Sequence, residues 1–165
     1  SVGQIPLYYN HLNTGRPLKE GTWFSKFKSN YLDIDNDPLF PFGYGLSYTT
    51  FKYGTPKLSS NTMTNNENIQ VSVDITNTGN YDADEIAQMY IRDLAASVSR
   101  PVKELKGFER LSLKKGETKT VTFTITPEDL KFYNQELEYK NEPGEFEVMV
   151  GPNSKDVQTL KFTLK

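Results

Sequence analysis

Short runs in which apolar and polar residues alternate recur along the chain after Phe51. The clearest run extends from Ile69 to Ile75, where β-branched apolar residues occupy every second position. This period of two predicts a strand with one face buried and the other exposed to solvent. The same kind of pattern predicts further strands at 86–92, 105–113, 118–126, 146–150 and 160–164.

Turn-forming residues separate these runs. Such residues cluster at 77–80, 114–117, 141–144 and 151–154. Thr126 followed by Pro127 and two acids predicts a single helical turn, and 131–133 is expected to pair with 137–140 around a tight turn. About seven short strands at intervals of roughly 8–12 residues predict an all-β protein, an antiparallel β-sandwich.

The segment 38–51 interrupts this regularity. It contains two prolines, two glycines and five aromatic rings, so it is unsuited to a helix or a central strand. Because exposed rings would form a large apolar patch, we expect an ordered connector whose rings cover neighbouring structure. Residues 1–37 show weak periodicity, with a short edge strand predicted at 4–9 and a second apolar group at 23–27.

Three sequence motifs resemble parts of one enzyme family. The run from Pro41 to Thr49 is similar to the connector of glycoside hydrolase family 3, the β-glucosidase family. The segments 2–11 and 14–17 resemble the end of that family's α/β sandwich domain, while 88–90 and 100–108 resemble its C-terminal domain. The resemblance implies three parts: a remnant of the α/β sandwich domain at 1–37, a connector at 38–53, and a fibronectin type III-like (immunoglobulin-like) sandwich at 54–165.

The resemblance also implies a function. The family's catalytic aspartate and glutamate belong to upstream domains whose motifs are not in this chain, so no catalytic residue carries over. The implied role is a non-catalytic structural domain that buttresses the catalytic domains of its own parent enzyme. That parent would hydrolyse terminal β-D-glucosyl residues with retention, without a metal or organic cofactor, in the periplasm or outside the cell. Homo-oligomer formation stays open, and a carbohydrate- or protein-binding module is the alternative.

Composition removes several classes of function. The formal net charge of −2 gives no electrostatic case for nucleic acid or an anionic membrane surface. The sequence contains no cysteine, so it has no disulfide framework, thiol nucleophile or Cys-based zinc site. It also shows no run of about 18 apolar residues and no signal-peptide pattern.

Two motifs with possible metal or catalytic chemistry fail on inspection. The segment 33–37 has the opening spacing of a calcium loop, but Pro38 and Tyr44 stand where that loop needs Gly and Glu. A turn rich in Asx side chains is the prediction there. His11 is the single histidine, and no Gly-x-Ser-x-Gly elbow accompanies it, so we expect it to have a structural hydrogen-bonding role.

No carboxyl pair suits glycoside cleavage, which requires two acids about 5–5.5 Å apart with one kept protonated. The acids considered are Asp82, Asp84 and Glu85, expected in a turn, and Glu104 and Glu109, expected on or near strands beside basic residues. Nothing in the sequence marks any of them as desolvated.

Two further features are candidate binding sites. Because Trp23 and the phenylalanines are expected to be packed, the tyrosines expected to be available for stacking on sugar rings are Tyr81, Tyr90, Tyr133 and Tyr139. The run 100–106 contains Pro101 among charged residues, which indicates a crossover at the edge of the sandwich. Alternatively, this run docks against the catalytic domains, with Arg100 bridging to a carboxylate.

Overall fold

A computed structural model describes residues 8–13, 15–17, 22, 25–31 and 34–165. The predicted edge strand at 4–9 and the apolar group at 23–27 lie partly outside these residues. In the described part of the N-terminal extension, Tyr9 and Asn10 form a turn and Leu12 makes an isolated β-bridge with Pro101.

The regular secondary structure of the described chain is almost entirely β-strand. In order these are β1 (Phe51–Tyr53), β2 (Lys57–Leu58), β3 (Thr62–Met63), β4 (Ile69–Asn77), β5 (Ala83–Asp93), β6 (Glu104–Leu113), β7 (Thr118–Ile125), β8 (Phe132–Tyr133), β9 (Tyr139–Lys140), β10 (Gly144–Gly151) and β11 (Gln158–Leu164). A short 3-10 helix at Pro127–Leu130 precedes β8. The all-β prediction is confirmed.

The strands form two main sheets. In the four-stranded sheet, β4 pairs with β1 and β2 along one edge and with β7 along the other. The five-stranded sheet has the order β3-β11-β10-β5-β6 and is antiparallel except for the β3–β11 pair. A separate small hairpin joins β8 to β9, as predicted. The two main sheets make the predicted sandwich.

The core follows from the alternation in the sequence. Every second residue of β4 from Ile69 to Asn77 is buried, as are Val121, Phe123 and Ile125 of the adjacent β7. The five-stranded sheet contributes side chains such as Phe146 and Phe162, whose rings stack 5.4 Å apart. Burying each such side chain contributes about 1.5–3 kcal/mol. The threonines between the buried positions of β7 lie outside, so this strand is half exposed as predicted.

Two expectations about local structure are wrong. Asp84 and Glu85 lie in β5 rather than in a turn, because β5 begins at Ala83 and pairs with the end of β6. The run 100–106 does not cross between sheets, because β5 and β6 are antiparallel neighbours in one sheet. Pro101 instead lies in the long loop that joins them.

Strand β5 is buried on both faces near its middle. Ala87, Met89 and Ile91 point into the core, as predicted. Gln88 and Tyr90 point to the outer face of the sheet, yet they are only 5% and 0% exposed. Something therefore covers the outer face at this point, and it proves to be the N-terminal part of the chain.

Candidate functional site

Gln88 joins the connector to the five-stranded sheet. Its side-chain amide donates to the backbone oxygens of Gly43 (3.2 Å) and Pro152 (2.7 Å), and its Oε1 accepts from the Tyr90 hydroxyl. Burial raises the pKa of Tyr90 far above its usual range, which keeps that hydroxyl a donor. Because the buried amide of Gln88 has its hydrogen-bond partners, it can hold the connector in place without the cost of an unpaired polar group.

Glycine is needed where the connector meets Gln88. Gly43 has a φ of +79°, and a Cβ placed there would lie 2.1 Å from Gln88 Oε1. Any larger residue would therefore strain the backbone at this φ and displace the Gln88 amide from its hydrogen bonds. One residue earlier, the oxygen of Phe42 accepts a hydrogen bond from the backbone N–H of Ser154 at 2.8 Å. The main chain of the connector is thus attached directly to β5 and to the turn after β10.

The N-terminal segment contacts the same place. The Tyr9 ring stacks on Phe42 with centroids 4.1 Å apart and meets Tyr90 edge-on at 5.8 Å. Beside them, the N–H of Val102 donates to the oxygen of His11 at 2.9 Å, next to the Leu12–Pro101 bridge. We call Tyr9, Phe42, Gly43, Gln88 and Tyr90 the anchor, because together they attach two separate N-terminal segments to the sandwich.

A second attachment holds the far end of the connector. Asn77 is fully buried, and its Oδ1 accepts from the Thr49 hydroxyl at 2.7 Å and from the Gly79 N–H at 3.2 Å. Its amide donates to the backbone oxygens of Tyr81 (2.7 Å) and Leu113 (3.1 Å). The connector is therefore fixed to the five-stranded sheet near residue 43 and to the four-stranded sheet near residue 49.

The prediction for the connector holds for its backbone and only in part for its rings. Phe51 packs against the core and Phe42 and Tyr44 are about half covered, whereas Phe40 is largely exposed. Leu46 and Tyr48 are 89% and 95% exposed. The main chain makes the hydrogen bonds to the sandwich at residues 42 and 43, so these attachments do not require Phe40, Leu46 and Tyr48 to be covered.

Arg100 contacts two side chains of this domain, while its buried Nε has no hydrogen-bond partner in the described part of the chain. Its guanidinium lies 4.5 Å from the centroid of the Phe132 ring, and Nη2 donates to Glu104 Oε2 at 2.8 Å. The carboxylate that it bridges is therefore Glu104 of this chain. Within this chain, the loop around Arg100 contacts the segment containing His11 and Leu12, and docking of the run 100–106 against catalytic domains stays a prediction.

The considered acids Asp84 and Glu85 lie in separate environments, each with its own hydrogen-bond partners. Asp84 accepts from Ser112 at 2.5 Å and from Arg110, and these bonds lower the pKa of its carboxyl. Together with Glu117, Asp84 lines a polar cleft of about 520 Å³, and the backbone N–H of Lys114 lowers the pKa of Glu117. Both carboxyls are therefore held ionised, which is unsuited to a proton donor.

Glu85 differs, because burial raises the pKa of its carboxyl. Its side chain accepts a hydrogen bond from the Tyr53 hydroxyl at 2.8 Å, which joins β5 of one sheet to β1 of the other. Nothing in the sequence around Glu85 indicates this desolvation.

Replacing Glu85 with glutamine is expected to raise the melting temperature at pH 7 by about 2 °C. Because burial raises its pKa in the folded state, the neutral carboxyl contributes stability below the unfolded-state pKa, and that stability is lost as pH rises through the folded-state value. Glutamine keeps an acceptor for Tyr53 without charge, so its advantage should vanish in acid. Thermal melts from pH 4 to 8 measure this, with Glu109→Gln on an exposed edge as the control. A gain in melting temperature that did not depend on pH would contradict the inference that the Glu85 carboxylate is buried.

The metal and histidine candidates have ordinary partners. Asp37 pairs with Lys155 at 2.7 Å, and Asn36 donates to the oxygen of Ser29 at 2.7 Å, so the described part of 33–37 is a turn with Asx side-chain bonds, as predicted. His11 Nδ1 lies 2.9 Å from the oxygen of Leu12. Among the described residues, no group of three acidic or histidine side chains could hold a metal ion.

Expectations for the aromatic residues are partly wrong. Tyr90 is unavailable to a sugar because it is fully buried within the anchor, where the Tyr9 ring contacts it. Tyr81, Tyr133 and Tyr139 are exposed. Tyr133 and Tyr139 lie side by side on the small hairpin, with ring centroids 5.1 Å apart. The phenylalanines were expected to be packed, yet several are exposed: Phe27, Phe40, Phe42 and Phe108. Trp23 lies outside the described residues.

Sequence reasoning missed Gln88 and Asn77, although signals for both were present. Asn77 occupies the next inward position after Ile75 in the alternation of β4, so a buried amide could have been expected there. Gln88 stands inside the apolar run of β5, where an outward polar residue looks like an ordinary solvent contact. Its burial depends on a segment more than forty positions earlier in the chain.

Comparisons with known proteins agree with this architecture. The model of the fibronectin type III-like domain family matches residues 85–154. The periplasmic β-glucosidase of Salmonella typhimurium is 52% identical over 99% of this chain, and a putative β-xylosidase of Formosa agariphila is 48% identical over all of it. The crystal structure of β-glucosidase from Listeria innocua in complex with isofagomine superposes with a TM-score of 0.91, at 46% identity over 98% of this chain.

The matched proteins are much longer. This chain spans 21% and 20% of the two curated relatives and 22% of the Listeria innocua structure. Among the described residues, no helix is long and apolar enough to cross a membrane. With the sandwich, the connector motif and these matches together, the chain is the C-terminal, fibronectin type III-like part of a glycoside hydrolase family 3 protein.

Proposed function

We propose that this chain is a non-catalytic structural domain that buttresses the catalytic domains of a longer glycosidase. The observation that carries the proposal is the anchor, in which Tyr9 and the connector lock onto Gln88 and Tyr90 of β5. A domain attached to its preceding segment by two hydrogen-bonded points moves with that segment as one body. This kind of attachment is expected for a structural domain that supports its neighbours. It is not expected for a module that moves freely on a flexible linker.

The activity of the whole enzyme is proposed from its relatives. Retaining hydrolysis of terminal β-D-glucosyl residues fits the relatives named β-glucosidases, and the relatives named β-xylosidases make β-D-xylosides the second substrate class to test. The proposed parts are the remnant at 1–37, the connector at 38–53 and the sandwich at 54–165. A periplasmic or extracellular site follows the relative named periplasmic.

The carboxyls of the described residues support a non-catalytic role. A retaining glycosidase needs one carboxylate nucleophile and one carboxyl that stays protonated. In the cleft with Asp84 and Glu117, hydrogen bonds lower the pKa of both of these carboxyls. Burial raises the pKa of Glu85 and of Asp93, but Glu85 is bonded to Tyr53 between the two sheets and Asp93 accepts from the backbone N–H of Ala95.

Assays of the chain and of the full-length enzyme on chromogenic β-glucosides and β-xylosides test this proposal. We expect turnover by the full-length enzyme and none by the chain. In the full-length enzyme, Gln88→Leu should shorten the half-life of activity on heating while leaving KM unchanged, because it loosens a support and touches no substrate. Turnover by the chain that a single Asp or Glu substitution abolishes would overturn the proposal.

The exposed tyrosine pair favours carbohydrate binding as the second candidate. Tyr133 and Tyr139 present two adjacent exposed rings on the small hairpin. Titration with cello-oligosaccharides, followed by tyrosine fluorescence, tests them. Saturable binding that is lost in Tyr133→Ala and Tyr139→Ala would favour a binding module, and a flat response would favour the buttress alone.

A further inference from the structure

We propose that the outer face of β5 and β6 around Phe108 is the surface on which the preceding part of the same polypeptide docks. This inference rests on the proposed structural function, and it names the surface and the partner. The surface comprises Ile86, Phe108, Phe42, Tyr44 and Phe40, which we call the docking strip.

Its central feature is an exposed phenylalanine on a regular strand. Phe108 is 68% exposed and Ile86 is 41% exposed. Ile86 pairs with Arg110 and Gln88 pairs with Phe108 across β5 and β6, so Ile86 and Phe108 are diagonal neighbours on one face. A loop could turn such side chains inward, but a paired strand holds them in solvent. Adjacent exposed apolar residues of this kind mark an interaction surface.

The strip is continuous with the anchor. Phe108 lies opposite Gln88, which contacts Gly43, and Gly43 is flanked by Phe42 and Tyr44. Phe40 extends the strip, with its ring 5.2 Å from that of Tyr44. Because hydrogen bonds fix these backbones, docking would cost little additional conformational entropy.

A polar rim borders the strip on one side. Arg110, the cross-strand partner of Ile86, pairs with Asp84, and Ser112 donates to the same carboxylate at 2.5 Å. An apolar centre beside paired charges is the usual arrangement of a protein interface. A sugar site would instead need several polar groups converging on the apolar centre.

The position of the N-terminal segment identifies the occupant. Tyr9 and Leu12 lie on this side of the sandwich, against Phe42 and Pro101. Polypeptide that precedes them in a longer protein therefore reaches this face first. Relatives about five times as long as this chain have ample polypeptide to cover it.

A cysteine-labelling experiment tests the docking strip. The chain has no native cysteine, so Phe108→Cys introduces one reporter, and Tyr133→Cys on the exposed hairpin is the matched control. Maleimide labelling is measured by mass spectrometry on the peptide that carries each position, in the 165-residue chain and in the full-length enzyme. We expect labelling at 108 to be about tenfold slower or more in the full-length enzyme, with no such difference at 133.

A second variant tests the contribution of the contact to stability. Phe108→Lys should lower the melting temperature of the full-length enzyme by about 3 °C or more, while the melting temperature of the 165-residue chain stays unchanged. Equal labelling at 108 in both proteins would overturn the docking proposal. So would protection in the chain that grows with concentration, which would assign the strip to a second copy. In either case a destabilising Gln88→Leu in the full-length enzyme would leave the structural function standing.

Discussion

Replacing Gln88 with leucine is expected to lower the free energy of unfolding of the chain by about 2–4 kcal/mol. The substitution removes the amide that satisfies the oxygens of Gly43 and Pro152, and it takes the acceptor from the Tyr90 hydroxyl. The Tyr90 hydroxyl then stays buried without an acceptor, and the oxygens of Gly43 and Pro152 lose their donor in a partly buried site. Urea unfolding followed by fluorescence measures the loss.

The control for this variant is Gln70→Leu. Gln70 is the same residue type on a strand, but its side chain is exposed. Its replacement should change the free energy of unfolding by less than about 0.5 kcal/mol. Equal effects at the two positions would show that the connector is not held through Gln88.

Replacing Asn77 with alanine should cost about 3–5 kcal/mol. The fully buried side chain makes four hydrogen bonds, to Thr49, Gly79, Tyr81 and Leu113. Alanine leaves all four groups unpaired and opens a small cavity at the end of β4. Urea unfolding again gives the measurement.

Asn80→Ala is the control for that variant, because Asn80 is exposed in the same turn. We expect it to change stability by less than about 0.5 kcal/mol. If Asn77→Ala changed stability as little as this control, water would have to replace the Asn77 amide as the partner of the four groups that it bonds. The hydrogen bond from Thr49 to Asn77 would then not be needed for stability.

The sandwich was predictable because its signals are local. From Ile69 to Ile75 the side chains alternate with a period of two, and the structure buries every second one. The helical turn after Thr126 and the small hairpin around Asn134 were likewise predicted from neighbouring residues. In each case the residues that set the conformation lie within a few positions of each other.

The anchor could not be predicted in the same way. Whether Gln88 and Tyr90 face water depends on Tyr9 and Phe42, which are far away in sequence. Composition shows that the rings of the connector need a partner, but it does not show on which side of the backbone they lie. That side is set by the positive φ of Gly43 and its contact with Gln88.

Attachment of one segment to both sheets has a consequence for where this module can be cut. A fragment that starts at the first residue of the family match would lose the strand pairs of β4 and the segments that cover Tyr90. The Tyr90 ring and the Gln88 amide of such a fragment would be exposed to solvent, which would favour self-association. The smallest unit that can be produced as a soluble, independently folded protein therefore extends well upstream of the sandwich, to include Tyr9.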